Sequence, residues 1–110
     1  MSQTAKQISE PKYYFKKKSD ELDYEVWLNR NTGFVVNGFI DKWRTKIDSE
    51  ENFKLHKLPC HTLKRQKDEG RRTKKYGKLC HLDENILIED CWRTTNGKYK
   101  PKPCGCCLRN

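Results

Sequence analysis

The sequence contains few apolar residues and no long apolar run. Hydrophobic residues make up 34% of the 110 positions and charged residues 35%, whereas globular chains are typically about 45–50% apolar when glycine is counted. No stretch approaches the roughly 18 consecutive apolar residues of a membrane-spanning helix. The N-terminal residues also lack the apolar segment and small-residue cleavage site of a signal peptide. We therefore expect an intracellular protein with no membrane partner, and a secreted one only if a signal peptide has been removed.

The chain is also too short for more than one ordinary domain. A small domain buries a modest fraction of its surface, so a thin apolar core leaves little margin of stability. We therefore expect a second source of stabilisation. The six cysteines and three histidines are the obvious candidates for it.

The sequence has no CxxC pair, so the usual patterns of zinc fingers and zinc ribbons are not matched. What it does have is a clustering of nine potential ligands in its second half, namely His56, Cys60, His61, Cys80, His81, Cys91, Cys104, Cys106 and Cys107. Zinc prefers four tetrahedral ligands drawn from thiolate and imidazole, and clustered cysteines in a reducing compartment are more often metal ligands than disulfides. We therefore predict that one zinc ion, or two, stabilises the domain. A domain held by three disulfides is the alternative.

The spacing of these residues suggests one particular ligand set. A single tetrahedral site can be formed by Cys80 or His81 together with Cys91, Cys104 and Cys106. The adjacent Cys106 and Cys107 should contribute at most one ligand to a given metal, because neighbouring side chains normally diverge. The competing interpretation is that individual cysteines are simply small buried apolar residues.

Acidic residues are scarce in two segments, and the positive charge is concentrated there. Residues 64–78 carry eight basic and two acidic side chains, and residues 94–110 carry four basic and no acidic ones, within a net charge of +9. Such segments favour binding to nucleic acid or another polyanion through phosphate contacts. The predicted contact residues are Lys64, Arg65, Arg71, Arg72, Lys74, Lys75, Tyr76 and Lys78. Tyr76 is included because an aromatic ring can stack on a base.

We favour RNA over DNA because the sequence shows no recognition-helix pattern. The run from Arg71 to Lys75 also resembles a nuclear-import signal. The function predicted from the sequence is therefore non-catalytic, zinc-stabilised binding of nucleic acid.

Two other function classes remain open. Exposed tryptophans at positions 27, 43 or 92 would suit a protein-interaction module stapled by zinc, because tryptophan is enriched at binding hot spots. His81 together with Asp83, Glu84 and Asn85 is the one cluster that could activate water in a small metal-dependent nuclease. The number of protein ligands would separate these classes, since a catalytic metal keeps one position open and a structural metal does not.

We predict a small α+β or mostly β fold, with a flexible basic arm over residues 1–20 and a single zinc-stabilised domain over residues 21–110. Alternating apolar positions over residues 24–28 and the apolar segment Phe34–Ile40 predict a β-hairpin, in which Gly38 marks a bulge or a strand end. Residues 85–90 are expected to form a short buried strand. Residues 64–78 are expected to be a long basic loop. Residues 41–58 fit either a third strand or a short helix capped by Ser49.

Overall fold

A computed structural model of the chain describes residues 13–30, 32–64 and 72–107. Its centre is a five-stranded mixed sheet in the order β1-β4-β2-β3-β5, in which all neighbours are antiparallel except β3 and β5. The strands are β1 (Tyr13–Phe15), β2 (Phe34–Phe39), β3 (Lys54–Lys57), β4 (Gly77–His81) and β5 (Lys102–Pro103). The helices are α1 (Glu21–Leu28), α2 (Arg72–Lys75) and α3 (Glu84–Thr94), with short 3-10 helices at Lys18–Asp20 and His61–Lys64. The prediction of an α+β fold is confirmed.

The two faces of the sheet pack against different helices. Successive side chains of a strand point to opposite faces, so the neighbouring Val35 and Val36 of β2 belong to two separate apolar clusters. Val35 packs with Tyr24 and Leu28 of α1. On the other face, Val36 packs with Leu87 of α3. The sheet is therefore covered by α1 on one face and by α3 on the other.

The strand predicted over residues 24–28 is wrong, because this segment belongs to α1. Tyr24, Trp27 and Leu28 are buried, at the i, i+3 and i+4 spacing of one helix face. Val26, which the alternating pattern assigned to the same face as Tyr24, is 67% exposed. The predicted hairpin therefore does not form, although its second strand does, as β2.

The strand predicted over residues 85–90 is also wrong, because this segment lies in α3. The Asp83 side chain accepts hydrogen bonds from the backbone N–H groups of Asn85 and Ile86 and so caps the start of the helix. Leu87 and Cys91, four positions apart, are fully buried on one side of it. A short apolar run does not by itself distinguish a strand from a helix, and here the cap and the packing favour the helix.

Part of the flexible arm predicted over residues 1–20 is ordered, because regular structure begins at Tyr13. Residues 1–12 lie outside the described residues. Tyr13–Phe15 forms β1, the edge strand that pairs with β4, and Phe15 is buried. The Asp20 carboxylate accepts hydrogen bonds from the backbone of Lys16 and Lys17. The aromatic residues at this point anchor the segment to the sheet.

Residues 41–58 and the described part of residues 64–78 each contain both regular and irregular structure. Within residues 41–58, Ile47 forms an isolated bridge with Phe39, and β3 follows. The Ser49 hydroxyl accepts a hydrogen bond from the Asn52 backbone in a turn and caps no helix. The predicted loop over residues 64–78 is corrected for its described second half, which forms α2 and the start of β4.

The prediction that Gly38 marks a bulge is confirmed. Its φ is +120°, a conformation that favours glycine, and the β2–β4 register shifts between Asn37 and Phe39. Across the described ranges, no helix is both long and apolar enough to cross a membrane.

Candidate metal centre and adjoining groove

Four side chains from two distant segments converge at one edge of the sheet. The potential ligand atoms of His56, Cys60, Cys104 and Cys107 all lie within 4.8 Å of one another. His56 is on β3, Cys60 precedes the 3-10 helix His61–Lys64, and the other two follow β5. This group could hold a metal ion.

Two separations within the cluster fit a tetrahedral metal centre with thiolate and imidazole ligands. Bond lengths of about 2.3 Å to sulfur and about 2.05 Å to nitrogen put two sulfurs about 3.8 Å apart and a sulfur about 3.6 Å from a nitrogen. The Cys60 and Cys104 sulfurs are 3.9 Å apart. The Cys60 sulfur is 3.6 Å from His56 Nδ1. Cys60 therefore stands at tetrahedral spacing from both His56 and Cys104.

The parallel pairing of β3 with β5 brings the two segments together. The Cys104 backbone N–H donates to the Leu55 carbonyl at 2.9 Å, and the Lys102 N–H donates to the Phe53 carbonyl at 3.0 Å. Lys57 adds a bond from its backbone N–H to the Cys107 sulfur at 3.3 Å. The backbone therefore holds the C-terminal cysteines against β3 independently of any ion.

Burial and local hydrogen bonds shape the acid–base behaviour of the cluster. Burial, together with the positive charges of Lys54 and Lys78, lowers the pKa of His56 to about 4. Its imidazole is therefore neutral at pH 7, the form that binds a metal. The Thr62 hydroxyl lies 3.0 Å from the Cys60 sulfur and so belongs to the immediate surroundings of the ligands.

The thiols of Cys104 and Cys107 are shifted in opposite directions. Burial opposes ionisation of Cys104, but hydrogen bonds from the backbone of Cys106 and Cys107 and from neighbouring thiols bring its pKa below the usual value. Burial and hydrogen bonding to Cys60 raise the pKa of Cys107 to about 12. Several thiolates in one site repel one another, so a cation is what would allow all of them to ionise together.

The ligand set suggested by spacing is not the one that the structure brings together. Cys80 lies at the centre of β4 and is buried against α1, whereas Cys91 is buried under α3 on the opposite face. Burial raises the pKa of the Cys80 thiol well above its usual value. Of the suggested set, Cys104 alone lies in the cluster, because the sheet separates Cys80 from Cys91.

The remaining candidate ligands lie outside the cluster. Cys106 is exposed, and its neighbour Cys107 occupies the site, which agrees with the expectation that adjacent cysteines do not share a metal. His61 is exposed at the start of its 3-10 helix. His81 is buried at the end of β4, where its Nδ1 accepts a hydrogen bond from the Asp83 N–H at 2.8 Å. None of the six cysteines is in a disulfide.

Two of the residues that suggested a nuclease, His81 and Asp83, form hydrogen bonds with neighbouring backbone groups. His81 and Asp83 fix the turn between β4 and α3, with the Asp83 carboxylate committed to the helix cap. Neither His81 nor Asp83 belongs to the four-residue cluster. The described hydrogen bonds of these two residues therefore serve the turn and the helix cap.

A groove of about 440 Å³ adjoins the group formed by His56, Cys60, Cys104 and Cys107, which we call the metal cluster because it could hold a metal ion. Its described lining consists of Asn37, Asn52, Lys54, His56, Thr62, Leu63, Arg72, Tyr76, Lys78, Cys104, Gly105 and Cys106. Three of these residues are cationic, and none of the described lining residues is an aspartate or glutamate. We refer to this feature as the cationic groove.

The structure assigns different positions to the predicted nucleic-acid contacts. Arg72 is buried, with its guanidinium paired to Glu25 of α1. Lys78 is buried too, and its ammonium donates to the Arg72 and Tyr76 carbonyls. Their role as phosphate contacts stays a prediction: both residues line the groove, and their charged groups are engaged within its wall.

The other predicted contacts divide between surface positions and undescribed parts of the chain. Tyr76 lines the groove and is partly exposed. Lys64 is exposed, with its ammonium 3.2 Å from the Asn29 side-chain oxygen. Arg65 and Arg71 lie outside the described residues, as do the side chains of Lys74 and Lys75.

Sequence reasoning missed Lys54 as a groove residue. Lys54 and His56 are two positions apart on β3 and therefore point to the same face. The sequence did contain a signal for this position, because a lysine two residues before a candidate ligand in a strand lies on the same face as that ligand. It was ambiguous because the sequence allowed residues 41–58 to be helical.

The comparisons with known proteins find no match: no family model, no curated protein and no solved structure is similar to this chain. The four-residue cluster and the cationic groove are therefore the features of this chain that bear on its function.

Proposed function

We propose that this protein is a non-catalytic, zinc-stabilised nucleic-acid-binding protein, with RNA favoured over DNA. The observation that carries the proposal is the cationic groove, which adjoins the metal cluster and has no described carboxylate in its lining. A net charge of +9 adds long-range attraction for a phosphate polymer.

Zinc is the metal that best suits the cluster. Soft thiolate ligands select zinc, copper(I) and iron–sulfur clusters, and a tetrahedral set of three sulfurs with one imidazole is typical of structural zinc. Four protein ligands leave no position for water or substrate. This closed coordination supports a structural role and argues against the nuclease alternative.

Native mass spectrometry of the reduced protein tests the metal. We expect one zinc ion per chain, released by a chelator. Cobalt substitution should produce the visible absorption of a tetrahedral thiolate site. Protein that is folded but carries no stoichiometric metal would contradict the zinc proposal.

Titration with labelled single-stranded RNA and DNA at two or more salt concentrations tests binding. Each neutralised phosphate of a single strand contributes about −0.7 to the slope of log affinity against log salt concentration. We expect a negative slope for both polymers and tighter binding to RNA. Failure of the zinc-loaded protein to bind either polymer at low salt would refute the nucleic-acid proposal.

A protein-interaction module is the second candidate, and one observation favours it. Leu22 and Val26 of α1 are 79% and 67% exposed, and Tyr13 is 41% exposed. Tyr13 and Val26 also line a second, smaller cavity together with Trp27 and Arg30. Replacing Leu22 and Val26 by serine should leave RNA binding unchanged if the groove is the binding site.

We also propose an intracellular, nuclear location, on the basis of the basic run from Arg71 to Lys75. Imaging of a fluorescent fusion in cells tests it. A fusion with Arg71, Lys74 and Lys75 changed to alanine should lose nuclear accumulation, and Arg72 is left unchanged because it is buried and paired with Glu25.

A further inference from the structure

The cationic groove combines charged and aromatic side chains. Lys54 of β3 and Lys78 of β4 are each paired in register with Asn37 of β2, and all three residues line the groove. Tyr76 also lines it and presents a partly exposed ring whose centroid is 5.9 Å from the Lys78 ammonium. A cation beside an aromatic ring is a common arrangement where a nucleobase stacks and its phosphate is neutralised.

The orientation of the tyrosine is set by a carboxylate at the rim. The Tyr76 hydroxyl is hydrogen-bonded to Asp48, and Asp48 also accepts a hydrogen bond from the Asn52 amide at 2.8 Å. Asp48 is thus engaged with two residues of the groove wall. The tyrosine is thereby linked to the wall of the groove.

The outer wall of the groove belongs to the metal site. Gly105 and Cys106 line the groove and lie between the candidate ligands Cys104 and Cys107. His56 and Cys104 belong to both the groove and the cluster. An ion bound by the four ligands would therefore hold this wall in position.

The size of the groove limits what it can receive. About 440 Å³ falls in the range of roughly 300–1,000 Å³ that is usual for sites of small molecules. It suits one nucleotide and is much too small for a base-paired duplex. Asn37 and Asn52 in the lining carry amides that can both donate and accept hydrogen bonds, as contacts to a base edge require.

We infer that the cationic groove receives one unpaired nucleotide of a single strand, with a phosphate on Lys54 and the base against Tyr76, and that the metal cluster holds its outer wall. This inference rests on the proposed nucleic-acid function and specifies the site and the form of the ligand. Lys78 contributes positive potential from within the wall, the charge of Arg72 is offset by its ion pair with Glu25, and Lys54 makes the contact.

The test uses the zinc-loaded full chain, labelled with ¹⁵N, and a short oligouridine strand as the probe. We expect the amide signals of Lys54, Tyr76, Gly105 and Cys106 to shift on titration. The same strand paired with oligoadenosine should cause much smaller shifts. Equal affinity for the paired and unpaired strands would overturn the inference.

Two pairs of variants provide the second measurement. Lys54→Gln should weaken binding about tenfold and make the salt slope shallower by about 0.7, whereas Lys98→Gln, at an exposed position outside the groove, should alter binding much less. Tyr76→Leu should weaken binding about tenfold or more, whereas Tyr76→Phe keeps the ring and most of the affinity. Equal affinities within both pairs would overturn the inference.

The two proposals fail in different ways. If oligouridine binds but the groove signals do not move, the nucleotide site is wrong and the nucleic-acid function stands. If no strand binds at all, both are wrong. Because the shifts are measured on the unmodified protein, a variant that fails to fold does not affect this distinction.

Discussion

Two adjacent cysteines show how strongly function depends on single positions. Cys107 lies in the metal cluster, and its sulfur accepts a hydrogen bond from the Lys57 backbone. Cys106 has the same chemistry but is exposed and outside the cluster. The direction in which each side chain projects from the backbone therefore decides which of the two cysteines is a candidate ligand.

We expect Cys107→Ser to weaken zinc binding by at least an order of magnitude and to lower the melting temperature, because a hydroxyl is a poor replacement for a thiolate ligand. Competition with a zinc-sensitive chelator measures the affinity, and thermal unfolding measures stability. Cys106→Ser is the matched control and should behave as the wild type. The reverse ranking of the two variants would exclude the proposed ligand set.

Positive residues of the groove also differ in what they do. Arg72 is buried, and its ion pair with Glu25 ties α2 to α1. Its backbone N–H also donates to the Glu21 carboxylate at 3.1 Å. Lys54 is only half-buried on β3.

Arg72→Met should therefore lower the free energy of unfolding by about 1–3 kcal/mol, since it leaves a partly buried carboxylate without its cation. Lys54→Gln should change it by less than about 0.5 kcal/mol, as is usual for substitutions that break no buried contact. Urea unfolding of the zinc-loaded proteins provides both values. A full-stability Arg72→Met protein would mean that the ion pair is not structural.

At the scale of the element, α3 depends on the residue that caps its N-terminus. The Asp83 carboxylate accepts hydrogen bonds from the N–H groups of Asn85 at 2.8 Å and of Ile86 at 3.2 Å. These N–H groups would otherwise have no partner within the helix. The cap therefore favours a helical conformation for an apolar segment whose sequence resembles a strand.

Asp83→Ala should destabilise the protein by about 1 kcal/mol, the usual effect of losing a helix cap, whereas Asp83→Asn should retain most of the stability because asparagine caps equally well. Chemical denaturation of both variants measures the difference. Glu89→Ala, at an exposed position of α3, is the control. Equal loss of stability in the alanine and asparagine variants would show that charge, and not capping, stabilises the helix.

At the scale of the whole molecule, only one of the two described apolar clusters includes candidate metal ligands. The cluster under α1 contains Cys60 and Cys104, with Cys107 packed against it. The cluster under α3 contains Leu79 and Leu87 but none of the four candidate ligands. Metal binding should therefore stabilise the two sides of the sheet unequally.

Chelation under reducing conditions should increase hydrogen exchange first at the Lys102 and Cys104 amides, whose bonds join β5 to Phe53 and Leu55. The amides of α3 should stay protected longer, because α3 packs on the apolar cluster that contains none of the four candidate ligands. Exchange measured by NMR with and without chelator gives the order. Simultaneous loss of protection everywhere would mean that the metal is required for the entire fold.

The sequence alone determined the properties that depend on composition and on neighbouring residues. The scarcity of apolar residues and the number of cysteines and histidines correctly pointed to a group able to hold a metal. The apolar segment beginning at Phe34 correctly predicted β2, and Gly38 correctly predicted its bulge. These predictions held because backbone conformation and side-chain chemistry at such positions are largely local.

Only the tertiary structure decided which ligands meet and which charges are buried. Cys60 and Cys104 are 44 positions apart, and the parallel pairing of β3 with β5 that joins them has no local sequence signal. The same is true of Arg72, whose charge is buried because Glu25 lies opposite it. Periodicity misassigned residues 24–28 and 85–90 because a short apolar pattern fits a strand or a helix equally well. The choice between them came from which side chains each face of the sheet could bury.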